Sequence, residues 1–197
     1  MPARVKLLLA SSNAHKLREY RSMTGKRGIE LDLLPRFREF PAFPEDAPTF
    51  AENAAGKALH YSRSSEEMIF ADDSGLVVPA LDGAPGVHSA RYAGPHANDA
   101  DRIAKLLGEM RGMSGEARRA QFVCVIAAAR AGRMLAVVSD SVEGLISDEP
   151  RGREGFGYDP VFYLPARAKT FAELHGAEKS EVSHRGRAFR KLLADIL

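Results

Sequence analysis

The sequence predicts an α/β protein with two lobes, because its two halves have different patterns. In the first half, short apolar runs alternate with stretches of helical periodicity, which is typical of strand–helix–strand units. In the second half, two longer strand-like runs, 121–129 and 134–142, are joined by a short turn with Gly132, which indicates a β-hairpin. With 197 residues the chain can bury a real core, and we expect one domain, 1–197, that contains both lobes.

The composition is that of a folded globular protein and argues against several classes. Apolar residues make up 45% and charged residues 27%, so disorder throughout the chain is not expected. The net charge of +2 is too small to indicate a nucleic-acid-binding protein. The apolar runs are too short for a membrane span or a signal peptide, which predicts a cytoplasmic protein with no membrane contact. The lone Cys124 is predicted to be a small buried hydrophobe.

The first strand is predicted at 5–10, and the turn after it is a candidate phosphate site. Small polar residues at 11–13 interrupt the apolar run, and a helix is predicted from 14 to about Arg27. The order strand, polar turn, helix leaves backbone N–H groups where a phosphate can bind, and Lys16 adds a cation. The alternative is a simple helix N-cap, for which Ser and Asn are common.

A second strand is predicted at 29–34, and a proline-rich loop follows at 35–48. Its four prolines exclude a central strand or the interior of a helix, and the loop carries acidic residues that include Glu45. Thr49 and Glu52 have the spacing of a capping box, which predicts a helix from there to about residue 63.

The next predicted strand, 68–71, ends at two adjacent carboxylates, Asp72 and Asp73. Like charges side by side are tolerated when water solvates them or a cation neutralises them. Because Mg²⁺ is usually bound by one or two carboxylates together with substrate phosphates, this pair is a candidate metal and catalytic site. The alternative is an ordinary Asp-Asp-Ser-Gly turn. The sequence does not decide which carboxylate would be the dominant metal ligand.

A helix is predicted at 100–110, and the second hairpin strand is expected to extend through 144–146. The glycine-rich segment that follows, 152–162, allows a ligand to approach the backbone closely. Phe156 and Tyr158 in this segment are candidates to stack on a flat base, a contact worth about 1–3 kcal/mol per base. The alternative is that both rings anchor the core.

The last helix is predicted to begin after Ser183, with His184 and Arg185 in its first turn. Cations at a helix N-terminus oppose the macrodipole. An anionic or polar ligand near these residues would relieve that conflict, and such local conflicts tend to mark functional sites.

Five motifs in this order resemble the inosine triphosphate pyrophosphatase family, the Ham1-like enzymes that hydrolyse non-canonical purine nucleoside triphosphates. The motifs are SSNAHK at 11–16, FAENA at 50–54, the block at 71–94, GFGYDP at 155–160, and EK at 178–179 with SHR at 183–185. The resemblance covers nearly the whole chain. It implies two lobes around a central mixed β-sheet, an active-site cleft between the lobes, and a homodimer.

The resemblance also implies roles for individual residues. Asp73 would be the proton acceptor and a ligand of Mg²⁺, and Glu45 would be a second acidic ligand, while Asp72 remains a candidate for the same metal. Ser74 would contact the substrate. The triphosphate-binding turn would consist of Ser11, Ser12, Asn13, Ala14, His15 and Lys16. The contacts to the base and the rest of the nucleotide would come from Phe156, Gly157, Tyr158, Asp159, Lys179, His184 and Arg185.

The chain departs from the family pattern at three positions. Ser12 and His15 stand where the family often has glycine, and His88 stands where an aromatic residue is common. The first two differences would limit how closely the backbone approaches the phosphates, but Lys16 and the helix N-terminus are retained.

The function that follows from the resemblance is Mg²⁺-dependent hydrolysis of ITP, dITP, XTP or dXTP to the monophosphate and pyrophosphate. A pyrophosphatase of the Maf type, acting on other nucleotides, is a related alternative. A nucleotide-binding regulator without turnover would not need Asp72, Asp73 and Glu45. A basic RNA-binding module would use the Arg-rich second half, but the nearly neutral total charge makes it the least favoured.

Overall fold

The computed structural model describes residues 5–25 and 28–197. Within these residues the strands are β1 Val5–Leu9, β2 Ile29–Leu33, β3 Met68–Val77, β4 Arg119–Arg130, β5 Arg133–Ile146, β6 Phe162–Leu164 and β7 Lys169–Thr170. The helices are α1 Ala14–Thr24, α2 Phe50–Ser62, α3 Asp99–Glu109, α4 Gly176–Val182 and α5 His184–Ile196. None of these helices in the described ranges is long and apolar enough to cross a bilayer.

The strands form one sheet in the order β2-β1-β3-β4-β5-β6-β7. Strand β1 is parallel to both β2 and β3, because α1 and α2 return the chain to the same end of the sheet. Strand β6 is antiparallel to both β5 and β7. The predicted α/β class with a central mixed sheet is therefore confirmed.

The chain forms two compact units. The first comprises Met1–Asp73, Cys124–Asp140 and Arg185–Leu197, and the second comprises Ser74–Val123 and Ser141–His184. Strands β3, β4 and β5 thus contribute residues to both units. That the whole chain is one domain stays a prediction.

Two apolar layers in the first unit follow from the alternation of side chains along β1. Leu7 and Leu9 belong to the cluster that contains Tyr20 of α1 and Phe189 of α5, whereas Leu8 belongs to the cluster that contains the alanines of α2. The ring centroids of Tyr20 and Phe189 are 4.7 Å apart. Full burial of a large apolar side chain stabilises the fold by roughly 1.5–3 kcal/mol, so this packing fixes α1 and α5 on one face of the first unit's strands.

The core of the second unit is centred on aromatic rings. The centroid of Phe162 lies 4.6 Å from that of Phe122 and 4.9 Å from that of Phe171. Helix α3 adds Ile103 and Leu106, which are three positions apart and so share one face of the helix. The prediction of this helix is confirmed, although it begins one residue earlier than expected.

Strand β3 corrects the prediction that a strand ends at the acidic pair. The strand continues through Asp72 and Asp73 to Val77, and both carboxylates are buried. A turn in this place would have exposed them to water, whereas the observed strand satisfies them with partners from other elements. Because side chains alternate along a strand, Asp72 lies on the same face as Phe70, and Asp73 lies on the same face as Ala71.

Other predicted boundaries differ by a few residues. Helix α1 ends at Thr24, with Gly25 as its C-cap, and the predicted end near Arg27 lies outside the described residues. Helix α2 begins as predicted, since the Thr49 hydroxyl accepts a hydrogen bond from the backbone N–H of Glu52. The sequence interpretation missed three short elements, β6, β7 and α4.

The hairpin between β4 and β5 is confirmed, with a tight turn at Ala131 and Gly132. Both turn residues have positive φ, 48° and 75°, which is the pattern of the primed turns that match the twist of a hairpin. Cys124 on β4 is fully buried, as predicted, and burial raises the pKa of its thiol to about 12.

Candidate active site

The two adjacent carboxylates on β3 have different partners because they lie on opposite faces of the strand. Asp72 Oδ1 accepts a hydrogen bond from Lys16 Nζ of α1 at 2.9 Å. Asp73 Oδ2 accepts one from Asn53 Nδ2 of α2 at 3.0 Å. Asp72 is thus bound by a lysine of α1, and Asp73 is bound by an amide of α2.

Asp72 is part of a buried ion network in the first unit. Its second oxygen lies 2.9 Å from Lys16 Nζ and 3.4 Å from Arg185 Nε, and Arg185 Nη1 lies 2.7 Å from a carboxylate oxygen of Glu19. Burial alone would raise the pKa of Asp72, but the positive charges of Lys16 and Arg185 outweigh it and hold the pKa well below its usual range. Asp72 is thus ionised at neutral pH and acts as the counter-ion of two cations.

Asp73 has the opposite electrostatic character. Burial raises its pKa, and the Asn53 hydrogen bond and the charges of Lys57 and Lys16 offset this only in part, while the negative charge of Glu45 adds to it. An ionised carboxylate that is poorly compensated gains most from an added cation or proton. These contacts favour Asp73 over Asp72 as the group that binds a metal or accepts a proton.

Glu45 is held near Asp73 by two side chains of α2. Lys57 Nζ lies 2.7 Å from Glu45 Oε1, and the Lys57 side chain is only 7% exposed. Asn53 binds the Glu45 loop through Ala47, donating to its carbonyl oxygen and accepting from its N–H. The acidic loop is thus fixed on the helix that also contacts Asp73.

Gly56 allows this loop to approach α2 closely. A Cβ atom at this position would lie 2.3 Å from Cζ of the Phe43 ring, which is far inside contact distance. Glycine inside a helix costs about 1 kcal/mol relative to alanine, so its presence indicates that the approach of Phe43 matters.

The turn at 11–13 forms an N-cap for α1. Asn13 Oδ1 accepts from the N–H groups of His15 and Lys16 at 2.9 and 3.2 Å, and Ser11 Oγ accepts from the N–H of Asn13. The helix N-cap, which was the alternative to a phosphate site, is therefore observed. The same segment contributes the Lys16 side chain to the ion network around Asp72. Ala14 is the first residue of α1.

Ser11 and Ser12 also line a cavity of about 650 Å³ on the side of β2. The charged residues that line this cavity have both signs: Lys6, Arg36 and Arg38 are positive, and Glu30, Asp32 and Glu39 are negative. Two of these cations are already paired, because Arg36 contacts Glu39 and Lys6 contacts Glu67. The charges that line the cavity therefore do not favour an anion over a cation.

In the second unit, Asp159 organises the glycine-rich segment. One of its oxygens accepts from the Phe156 N–H at 2.7 Å and from Lys179 Nζ at 2.5 Å, and both Asp159 and Lys179 are buried. Gly155 has φ +79°, and a Cβ there would lie 2.0 Å from Asp159 Oδ2, so only glycine fits this turn.

The two aromatic residues of this segment have different roles. Tyr158 is buried, and its hydroxyl donates to the carbonyl oxygen of Ser89 at 2.9 Å, which favours the alternative of a core anchor. Phe156 is partly exposed, and Lys179 Nζ lies 5.1 Å from its ring centroid. Phe156 therefore remains the ring that can stack on a base.

His184 and Arg185 begin α5, but they have separate surroundings. His184 belongs to the second unit, where its buried ring stacks on Phe122 with centroids 4.6 Å apart and planes within 8°. Arg185 belongs to the first unit, where burial would lower its pKa but the charges of Glu19 and Asp72 raise it. The charge that opposes the helix dipole is thus balanced by carboxylates of the protein itself.

A family model described as the Ham1 family matches residues 7–195. The chain belongs to the Ham1 family. This confirms the resemblance that the sequence motifs indicated.

Relatives of this Ham1-family chain match it over nearly its full length. The dITP/XTP pyrophosphatase of Geobacillus kaustophilus is 52% identical over 186 residues, which is 94% of this chain and 91% of the relative. That of Listeria monocytogenes serovar 1/2a is 41% identical over 192 residues, covering 98% and 95%. A HAM1 protein from Coxiella burnetii has a similar structure, with a TM-score of 0.86, 40% identity, and coverage of 96% and 97%. The Ham1 protein of Staphylococcus aureus gives a TM-score of 0.83 at 37% identity, covering 96% of each chain.

Two residues of this Ham1-family site had no role assigned from the sequence: Lys57, and Asn53, which was quoted only as part of the FAENA motif. They are four positions apart, so they share one face of α2, and both are buried there beside acidic groups. The signal available in the sequence was an asparagine and a lysine four positions apart in an alanine-rich helix. Ser74, predicted to contact the substrate, follows Asp73 on β3 and is partly buried.

The donor set of this Ham1-family chain fits a metal that is shared with a substrate. Among residues 5–25 and 28–197, no group of three or more His, Cys, Asp or Glu residues is placed to hold a metal ion. Mg²⁺ typically takes only one or two carboxylates from the protein and completes its coordination with water and phosphate oxygens. Asp73 and Glu45, close enough for their charges to interact, meet that need.

Proposed function

We propose that this chain hydrolyses non-canonical purine nucleoside triphosphates, ITP, dITP, XTP and dXTP, to the monophosphate and pyrophosphate in the cytoplasm. The observation that supports this most is the partly compensated carboxylate of Asp73, fixed by Asn53 and adjoined by Glu45 and Lys57, in a chain 41–52% identical to named dITP/XTP pyrophosphatases.

Asp73 is proposed as the general base of the reaction. It would accept a proton from water as the water oxygen bonds to the α-phosphorus and the bond from that phosphorus to the bridging oxygen breaks. Pyrophosphate leaves with the electron pair of the broken bond. A carboxylate whose pKa burial raises is a stronger base than an exposed one, which suits this role.

Asp73 and Glu45 would hold Mg²⁺ together with substrate oxygens. When bound, the ion would supply positive charge that polarises the phosphate. Lys16 and Lys57 add positive charge in the same unit and stay near the carboxylates through their ion pairs. In the second unit, Phe156 is proposed to stack on the purine, beside the Asp159–Lys179 pair.

We expect ITP and XTP to be turned over with a kcat/KM up to about 10⁴-fold above that for ATP, because a site built on hydrogen bonds rejects an analogue that leaves them unmade. The measurement is pyrophosphate release from ITP, dITP, XTP, GTP, ATP and dTTP with Mg²⁺. Addition of EDTA should abolish release. Equal rates across the purines would contradict base recognition, and binding of ITP without pyrophosphate release would indicate a regulator instead.

We also propose that the protein is a homodimer, as the family resemblance implies. Sedimentation velocity should then show a particle of two 21.5 kDa chains at micromolar concentration. A particle of one chain at all concentrations tested would contradict this proposal.

A further inference from the structure

Asp99 is the first residue of α3, but its carboxylate does not cap that helix. The cap is supplied by Asn98, whose side chain accepts from the N–H of Asp101, while the Asp101 side chain accepts from the N–H of Asn98. Asp99 Oδ2 instead accepts a hydrogen bond from the backbone N–H of Gly157 at 2.7 Å. A carboxylate that is not needed for its own helix is thus bound to the glycine-rich segment.

The orientation of Asp99 is fixed by Arg102. The guanidinium pairs with Asp99 Oδ1 through Nη2, and its Nη1 donates to the carbonyl oxygens of Ala90 and Ala97 at 3.0 and 2.5 Å. The Arg102 side chain is 16% exposed. Because the planar guanidinium fork is held at several points, the carboxylate it binds has little freedom to turn.

Two carboxylates together determine the backbone conformation of Phe156. The peptide before Phe156 is held through its N–H by Asp159, and the peptide after it is held through the N–H of Gly157 by Asp99, each at 2.7 Å. The φ and ψ angles of a residue describe the orientation of these two flanking peptides. Fixing both peptides therefore fixes the direction in which the Phe156 side chain leaves the backbone.

The neighbouring residues do not replace this constraint. Gly157 has φ +64° and no side chain whose packing could hold its peptide in place. Tyr158 is anchored through its hydroxyl to Ser89, on the far side of Gly157 from Phe156. Without Asp99, the peptide between Phe156 and Gly157 would lose its charged acceptor.

We propose that Asp99 is a positioning residue for purine recognition, acting through the Gly157 N–H on the ring of Phe156. The proposal rests on the proposed function, in which Phe156 stacks on the base. The ligand class is a planar purine of a nucleoside triphosphate. Asp99 itself touches neither the base nor the reacting phosphorus in this scheme.

The test is an Asp99→Ala variant, with Asp101→Ala as its matched control. Both changes remove one carboxylate from the first turn of the same helix, but only the first removes the hydrogen bond to Gly157. A hydrogen bond to a charged group is worth enough to change binding by about tenfold or more. Asp99→Ala should raise the KM for ITP by about that factor and leave kcat within about twofold, because only the binding of the base is weakened, whereas Asp101→Ala should leave KM unchanged.

An Asp99→Asn variant covers the case in which the alanine variant does not fold. Its amide oxygen can still accept from Gly157, but without charge, so KM should take an intermediate value. A fall in kcat with an unchanged KM, or effects equal to those of Asp101→Ala, would mean that Asp99 only stabilises the fold and would overturn the proposal. A wild-type enzyme without preference for ITP would instead refute the proposed function itself.

Discussion

Replacement of Asp73 by Asn is expected to reduce kcat for ITP by about 10²–10⁴-fold or more. The amide cannot accept the proton of the attacking water, and it removes one of the two carboxylates proposed to bind Mg²⁺. The change is nearly isosteric, and the amide oxygen of the variant can still accept from Asn53. Steady-state pyrophosphate release at saturating Mg²⁺ and ITP measures the effect.

The same variant should keep or gain thermal stability. Because burial raises the pKa of Asp73, the ionised carboxylate opposes folding at neutral pH, and a neutral amide removes that cost. Loss of activity with an unchanged or higher Tm would identify a group retained for function at the expense of stability. An exposed acid of α5, Asp195→Asn, is the control and should change neither quantity. A lower Tm with a parallel loss of activity would indicate that Asp73 is structural.

The family and most of the secondary structure could be predicted from the sequence because the signals are local. Capping at Thr49, the hairpin turn, and the glycine-rich segment all depend on residues a few positions apart. The order of five motifs then indicated the family without any knowledge of contacts. This is why the α/β class and the two hairpin strands were correctly predicted.

The continuation of β3 through Asp72 and Asp73 could not be predicted, because the partners that allow it are distant in sequence. Lys16 lies 56 residues from Asp72, and Arg185 lies 113 residues from it. Two adjacent carboxylates look like a turn when only local preferences are considered. Their opposite orientation, and thus the distinction between a counter-ion and a candidate base, depends on the strand itself.

The same limit applies to Lys179, which the resemblance assigns to the nucleotide. The sequence shows a lysine after a glutamate, but the structure shows a buried side chain 2.5 Å from Asp159. An ion pair of this kind depends on how two distant segments fold together. Its role in substrate binding remains a prediction, now with a structural contact that any ligand would have to accommodate.

Replacement of Arg185 by Met is expected to destabilise the protein by about 3–5 kcal/mol, because it leaves the charge of Asp72 buried without one of its partners. The Arg185 side chain is 4% exposed and links Asp72 to Glu19, whose side chain is 19% exposed. Methionine retains much of the apolar stem, so the loss reports mainly on charge. Urea unfolding of the two proteins at pH 7 measures the difference. Arg187→Met, at an exposed position of the same helix, should cost no more than about 1 kcal/mol.

A double variant separates this structural role from base recognition. If Arg185 chiefly balances buried carboxylates, then Glu19→Gln in the Arg185→Met background should recover part of the lost stability, because one uncompensated charge is removed. The ratio of kcat/KM for ITP to that for ATP should then change little in both the Arg185→Met variant and the double variant. Wild-type stability of Arg185→Met together with a large fall in that ratio would show instead that the guanidinium reads the base, as the family resemblance implies. The structure favours the first outcome, since the Arg185 side chain is 4% exposed and its Nε and Nη1 groups already bind Asp72 and Glu19.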